Sequence, residues 1–281
     1  MNRAGGRDRL KGSWSRSPLA SLPEVARSSA ESCLLSSKAE APLSFNMASR
    51  TEAPARAQVI LPAADAYIFD IDGTLLVTKD LVHWNALRQA MLEAYGVDTT
   101  IEGIAYHGMT DLSILRAALV RKGICNADFE RGLPQALSVV CREVDAHRES
   151  IVTAVCGGVV KLLEELRGRN RLLGIASGNL EAIGWHKLEA AGLRELFSFG
   201  CFSDGCEERR AIFHNALQRV AQRLGRKARS CFIGDTPSDI AAARAVGASI
   251  VAVSSGTFSF AELNSCSPDL CVSGCDQFVS C

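Results

Sequence analysis

The chain has 281 residues, 47% of them hydrophobic and 22% charged, with 31 basic residues balancing 31 acidic ones. That balance leaves no basic excess to hold a nucleic-acid backbone, and no apolar run approaches the length needed to span a bilayer. A soluble globular protein without nucleic-acid or membrane partners is the expectation. The 11 cysteines are read as reduced thiols in a cytoplasmic protein, because several sit inside apparent strands and helices as small hydrophobes. Cys266, Cys271, Cys275 and Cys281 crowd the C-terminal end without the paired C-x-x-C spacing of a zinc knuckle, and stay unassigned.

Residues 1–57 are rich in Ser, Arg and Ala and keep no sustained period, which predicts a disordered leader. Its arginines faintly resemble an organelle transit peptide, while Met47 offers an alternative start. Regularity begins at Ala66, where "AYIFDI" reads as a buried strand and "DGT" as the turn after it. Between residues 80 and 152 the apolar positions recur at helical spacing, as in Leu81, Trp84, Leu87 and Met91, then Leu112, Leu115 and Leu119. With Gly96, Gly108, Gly123 and Gly132 as breaks, this block is expected to hold four or five helices.

Beyond it, strand and helix patterns alternate. Strands are predicted at 172–176, 197–202, 230–233 and 249–253, and helices at 159–166, 180–191, 211–224 and 240–246. Such alternation means a parallel sheet covered by helices. The fold class is therefore α/β: a Rossmann-like core of residues 58–79 and 153–281, with an all-helical cap, 80–152, inserted after the first strand.

Ligands of an open parallel sheet collect beyond the carboxyl ends of its strands. The first strand ends at Asp70-Ile71-Asp72-Gly73-Thr74, the second at Ser177-Gly178-Asn179, and the fourth at Asp235, with Asp239 close behind; the third runs out ahead of the Arg209–Arg210 pair. Strand alternation puts Asp70 and Asp72 on one side. Asp70 would attack phosphorus and Asp72 would protonate the leaving oxygen, then activate water. Asp70, Asp235 and the main-chain carbonyl of Asp72 suit the hard-oxygen shell of Mg²⁺. Ser177, with the N–H groups of Gly178 and Asn179 at a helix start, would cradle the phosphoryl oxygens. Arg209 or Arg210 would offset the negative charge. Taken singly each has an ordinary explanation: Asp72-Gly73 as a turn, Ser177 as a helix cap, Asp239 as a helix-start charge. Their arrival at four strand ends together argues for a site.

"FDIDGTLL" at 69–76, "GIASGN" at 174–179 and "CFIGDTPSDIAAARAVGA" at 231–248 resemble, in order, motifs of the haloacid dehalogenase-like hydrolases. "HGMTDLSIL" at 107–115 resembles the cap segment of the phosphoglycolate phosphatase-like and beta-phosphoglucomutase-like branch. The resemblance implies Asp70 as nucleophile, Asp72 as acid/base, Mg²⁺ on Asp70, Asp72 and Asp235, phosphate on Ser177, and Thr74 and Asp239 in support. It also implies a polar substrate-facing residue on the first cap helix, which suggests His83, with an ordinary structural histidine as the alternative; Thr110 is a second cap candidate. The family's usual lysine after the third strand is missing from "DGCEERRAIF" at 204–213: Lys187 comes too early, and Arg209 takes the role, with Arg210 next to it. The implied activity is a Mg²⁺-dependent phosphatase of a small phosphorylated metabolite, in a monomer or weak homodimer. A sugar phosphomutase and a catalytically idle binding protein are the alternatives.

Overall fold

The computed structural model describes residues 59–279. The leader reading and Cys281 lie outside the described residues. Strand β1 (Val59–Ile60) precedes β2 (Ala66–Phe69), whose four residues are all buried. Strand β3 (Leu76–Thr78) leads into helices α1 (Val82–Tyr95), α2 (Asp111–Val120) and α3 (Asn126–Ala146), and β4 (Thr153–Val155) returns. Helix and strand then alternate: α4 (Val159–Gly168), β5 (Leu172–Ala176), α5 (Glu181–Ala190), β6 (Phe199–Cys201), α6 (Arg209–Leu224) and β7 (Ser230–Gly234). The chain closes with α7 (Pro237–Ala245), β8 (Ser249–Val253), α8 (Phe260–Ser265), β9 (Leu270–Val272) and β10 (Phe278–Val279).

Six strands form one parallel sheet in the order β6-β5-β2-β7-β8-β9. The strand order reverses at β2, so its carboxyl end, flanked by those of β5 and β7, is the crevice where such sheets bind ligands. Alternation along β2 divides the core in two. Tyr67 and Phe69 pack with Leu162, Leu163 and Leu188 of α4 and α5. Ala66 and Ile68 pack with Ile212, Phe213 and Ile240 of α6 and α7. Both faces are covered, which is why the central strands read as unbroken apolar runs.

The inserted block has its own core. Ala86, Leu87, Ala90 and Met91 of α1 meet Leu115 and Leu119 of α2 and Val139 and Val140 of α3, and Leu180 and Ile183 of the sheet domain join them. The expectation of four or five helices is corrected to three α-helices and a single 3-10 turn at Arg148–Ser150. Gly132 does not end a helix: α3 runs through it and through Pro134 for 21 residues. A Cβ at Gly132 would lie 2.4 Å from Cε1 of Tyr95, so this glycine makes room for a ring instead of a turn. The cap is joined to the sheet by the antiparallel pair β3–β4. Asp80 fastens that junction, taking the N–H of Val82 at 2.8 Å on one oxygen and that of Val152 at 2.7 Å on the other. Among the described residues no helix is long and apolar enough to cross a membrane, and the nine described cysteines are free thiols.

Candidate active site

A cavity of about 490 Å³ opens between the strand ends and the cap. Asp70 stands at its floor directly after β2, its N–H bonded to the carbonyl of Ile233 on β7 at 3.0 Å. Its Oδ2 accepts from Arg209 Nη1 at 3.1 Å, whereas Oδ1 is buried without a partner. Burial raises its pKa above the usual carboxylate range, against the pull of Arg209. Asp235, after β7, is pushed well above that range by burial and then by the charges of Asp70 and Asp239, while the hydroxyl of Thr74, 3.0 Å from its Oδ1, works the other way. Asp70, Asp235 and Asp239 bring oxygens within 4.8 Å of one another.

Asp239 is not free to be a simple ligand. Its Oδ2 accepts from the N–H and hydroxyl of Thr236 at 3.1 and 2.7 Å, a capping box that starts α7, and its Oδ1 pairs with Arg209. It therefore anchors Arg209 and the Asp235 loop. Gly73 is required here on two counts: its φ is +80°, and a Cβ would fall 2.2 Å from Asp235 Oδ2.

Asp72 lives in different surroundings. Its Oδ1 accepts from Thr78 Oγ1 at 2.9 Å; its Oδ2 accepts from Lys187 Nζ at 2.7 Å and Asn179 Nδ2 at 2.8 Å. Desolvation in the cleft pushes its carboxyl up, but Lys187 and Asn179 outweigh that and hold it at about 2. Arg209, by contrast, stays charged because Asp239 and Asp70 overcome the cost of its burial.

The residues fit a divalent cation. A buried carboxylate oxygen with no partner, beside a second carboxylate that is costly to ionise alone, is a donor set that lacks a positive charge.

A profile of the haloacid dehalogenase-like hydrolases matches residues 67–253. The chain belongs to that family. A phosphoglycolate phosphatase of Synechococcus elongatus is 31% identical over 194 residues, which is 68% of this chain and 84% of that one. Among solved structures, CbbY from Rhodobacter sphaeroides in complex with phosphate superposes with a TM-score of 0.54 at 19% identity, over 76% of this chain and 96% of that one. A beta-phosphoglucomutase from Clostridium difficile gives 0.54 at 19% identity, covering 76% and 93%. These two likenesses concern the fold.

Within this haloacid dehalogenase-like hydrolase, Asp70, Asp72, Ser177, Gly178, Asn179, Arg209, Asp235 and His83 all line the cavity. Arg210 does not; it is exposed and pairs with Glu208 at 3.5 Å. The hydroxyl of Thr110 is engaged elsewhere: it accepts from Ser113 N at 3.2 Å and donates to the carbonyl of Glu207 at 2.7 Å, docking α2 on the sheet domain. Asn179 turns its amide to Asp72 and Ser177, and its N–H also donates to Ser177 Oγ at 3.4 Å.

Lys187 needs a correction. Too early in sequence to replace the missing lysine, it nevertheless reaches the site from α5, 3% exposed. Ile183, Gly184, Lys187 and Leu188 form the buried stripe of α5, and a lysine on an apolar stripe demands a partner. Asp111 was also missed. It stands at the start of α2, accepting from His83 Nε2 at 3.0 Å and from Leu180 N at 2.7 Å.

Proposed function

We propose that the chain is a Mg²⁺-dependent phosphatase of a small phosphorylated metabolite, working through an aspartyl phosphate on Asp70. The observation that carries this reading is the state of Asp70: one oxygen is fixed by a buried arginine and the other is bare at the floor of a cavity. Once ionised, a carboxylate oriented in that way is a nucleophile awaiting an electrophile. The similarity to a phosphoglycolate phosphatase supports a phosphate monoester as substrate.

Asp70 and Asp235 would hold the cation, joined by the main-chain carbonyl of Asp72, since the carboxylate of Asp72 is committed to Lys187, Asn179 and Thr78. Bound there, Mg²⁺ would neutralise carboxylates and phosphoryl oxygens and so allow two anions to approach. An oxygen of Asp70 attacks phosphorus as the bond to the ester oxygen breaks. Asp72, ionised in the free site, would take the proton carried by the ester monoanion and pass it to the departing oxygen. It would then take one from the water that attacks the acyl phosphate and return it as inorganic phosphate leaves, with Asp70 restored. Ser177 and Gly178, which line the cavity, would bind the transferred phosphoryl group through the Ser177 hydroxyl and the Gly178 N–H. Arg209 steadies its charge while anchored by Asp239.

The far end of the cavity is apolar, walled by Trp84, Leu87, Ile101, Tyr106 and Met109, with His83 and His107 as polar points. The leaving alcohol would lie there, in a cytoplasmic enzyme whose free thiols suit a reducing compartment. A panel of phosphorylated metabolites assayed for inorganic phosphate, with and without Mg²⁺, tests the proposal. Mg²⁺-dependent release from at least one ester supports it. Isomerised ester without phosphate release would replace it by a phosphomutase, and no turnover of any ester would overturn it.

A further inference from the structure

We propose that Lys187 is a positioning residue for Asp72, a second buried cation dedicated to the acid/base carboxylate as Arg209 is dedicated to the nucleophile. The inference rests on the phosphatase reading above. The two cations come from helices on opposite faces of the sheet, Arg209 from α6 and Lys187 from α5. Arg209, anchored by Asp239, lies 3.1 Å from Asp70, and Lys187 lies 2.7 Å from Asp72.

An ammonium has three N–H donors and no lone pair. Lys187 has three acceptors around it: Asp72 Oδ2 at 2.7 Å, Asn179 Oδ1 at 3.1 Å and His83 Nδ1 at 3.2 Å. Every donor has a protein partner, so none is left over for a substrate. This separates a residue that acts through Asp72 from one that grips the ester.

The contacts also close on themselves. Asn179 accepts from Lys187 with Oδ1 and donates to Asp72 Oδ2 with Nδ2 at 2.8 Å, which makes a triangle of three side chains. Thr78 holds the other oxygen of Asp72 at 2.9 Å. The carboxylate is thereby fixed in rotation, with the Lys187 side fully buried and the Asp72 side chain 41% exposed toward the cavity. Outward from Lys187 the chain of bonds runs into the cap. Because Lys187 donates to His83 Nδ1, His83 carries its proton on Nε2 and donates to Asp111, whose second oxygen takes the N–H of Leu180. His83 is thus a brace for Lys187 from α1 of the cap.

A general acid misplaced by an ångström loses most of its effect. The loss should then depend on how much the leaving group needs a proton. An alkoxide leaves only as the proton arrives; p-nitrophenolate leaves without it. kcat/KM covers the steps through phosphoryl transfer to Asp70, where this difference is felt.

The test compares Lys187→Met with the native chain, on the best alkyl phosphate from the metabolite panel and on p-nitrophenyl phosphate. We expect a fall of ~10²-fold in kcat/KM for the alkyl ester, in the range of general acid catalysis, and only a few-fold fall for the aryl ester. In an Asp72→Asn background the same change should cost little more on either ester, because its route of action is already gone. Equal losses on both esters, or a full loss that persists beside Asp72→Asn, would overturn the inference. Lys187→Arg covers the case of a Met variant that does not fold: it keeps the charge but displaces Asp72, and should show the same bias in smaller size, whereas equal losses there would also overturn it. Native turnover that Asp70→Asn abolishes is the reference, and without it this inference and the proposed function fall together; with it, the outcomes above judge Lys187 alone.

Discussion

Asp70 and Asp72 are two residues apart, yet one is pushed up by burial and the other is held at about 2. The difference comes from donors. Asp70 keeps a bare buried oxygen, whereas both oxygens of Asp72 are satisfied. This division has a consequence for metal binding. Asp70 and Asp235 hold protons to higher pH in the folded protein than in the unfolded chain, whose carboxyls titrate near ~4. The stability they contribute without metal is full below that value and is lost as pH rises through the folded values. The cation needs both groups ionised, so the rise in Tm given by saturating Mg²⁺ should be larger at pH ~7 than at pH ~5. The opposite slope from Asp72 falls between about 2 and its ordinary value, below this window. Calorimetry at the two pH values checks the prediction, and an increment that does not change would contradict it. Arg209→Ala should cost ~10²-fold or more in kcat, the size of removing a preorganised charge. Arg210→Ala, whose side chain faces Glu208 and solvent, should leave kcat within a factor of about two; steady-state kinetics of both variants decide, and the reverse order would reassign the role. These residues could be read from sequence because each follows a strand that the sequence itself declares. Lys187 could not be placed the same way. Spacing along the chain does not report which side of the sheet a helix brings a side chain to.

Helices and strands of the sheet domain were legible wherever burial was one-sided or complete: β5 and β8 begin and end at the expected residues because their apolar runs are sharply bounded. The β3–β4 ladder escaped notice, since three residues on each side carry too little alternation to stand out. The cap was misjudged in helix number for the same kind of reason. A glycine that accommodates Tyr95 looks, in sequence, like one that ends a helix. At this scale α2 is fastened to the sheet domain by several bonds. Its start is bound by Asp111 N to the Gly178 carbonyl at 2.8 Å, and by Thr110 and Ser113 hydroxyls to the Glu207 carbonyl. Arg116 adds a two-pronged pair with Glu207, Nε to Oε1 at 2.6 Å and Nη2 to Oε2 at 2.9 Å. Partly exposed pairs contribute at most about 1 kcal/mol, so Arg116→Ala should lower Tm by only about 2–4 °C. The larger effect should be local: faster hydrogen exchange at Asp111 and Leu180 and a KM raised several-fold, as the cap closes less often over the substrate. Unchanged exchange at those two amides would show that the pair does not hold the cap.

At the scale of the whole molecule, the parallel sheet delivers four strand ends to one crevice and the cap closes it with an apolar wall. The reversal of strand order at β2 puts Asp70, which is buried, in the crevice between β5 and β7. On the proposed mechanism, excluding water would matter twice: it would strengthen the field of Arg209 and a bound cation on the phosphoryl group, and it would protect the acyl phosphate until one water is admitted. The sequence made the crevice and its acids legible, because strand ends and turn residues are local signals. The apolar wall of the cavity was not, since Trp84, Ile101, Tyr106 and Met109 meet there only after the cap has folded. The most direct measurement of the central claim is the site of phosphorylation. The protein is mixed with a turned-over ester and Mg²⁺, quenched in acid, and the labelled peptide is sequenced, with Asp70→Asn treated in parallel. Phosphate is expected on Asp70, with no label and no turnover in Asp70→Asn. Label on another residue, or undiminished phosphate release by Asp70→Asn, would contradict it.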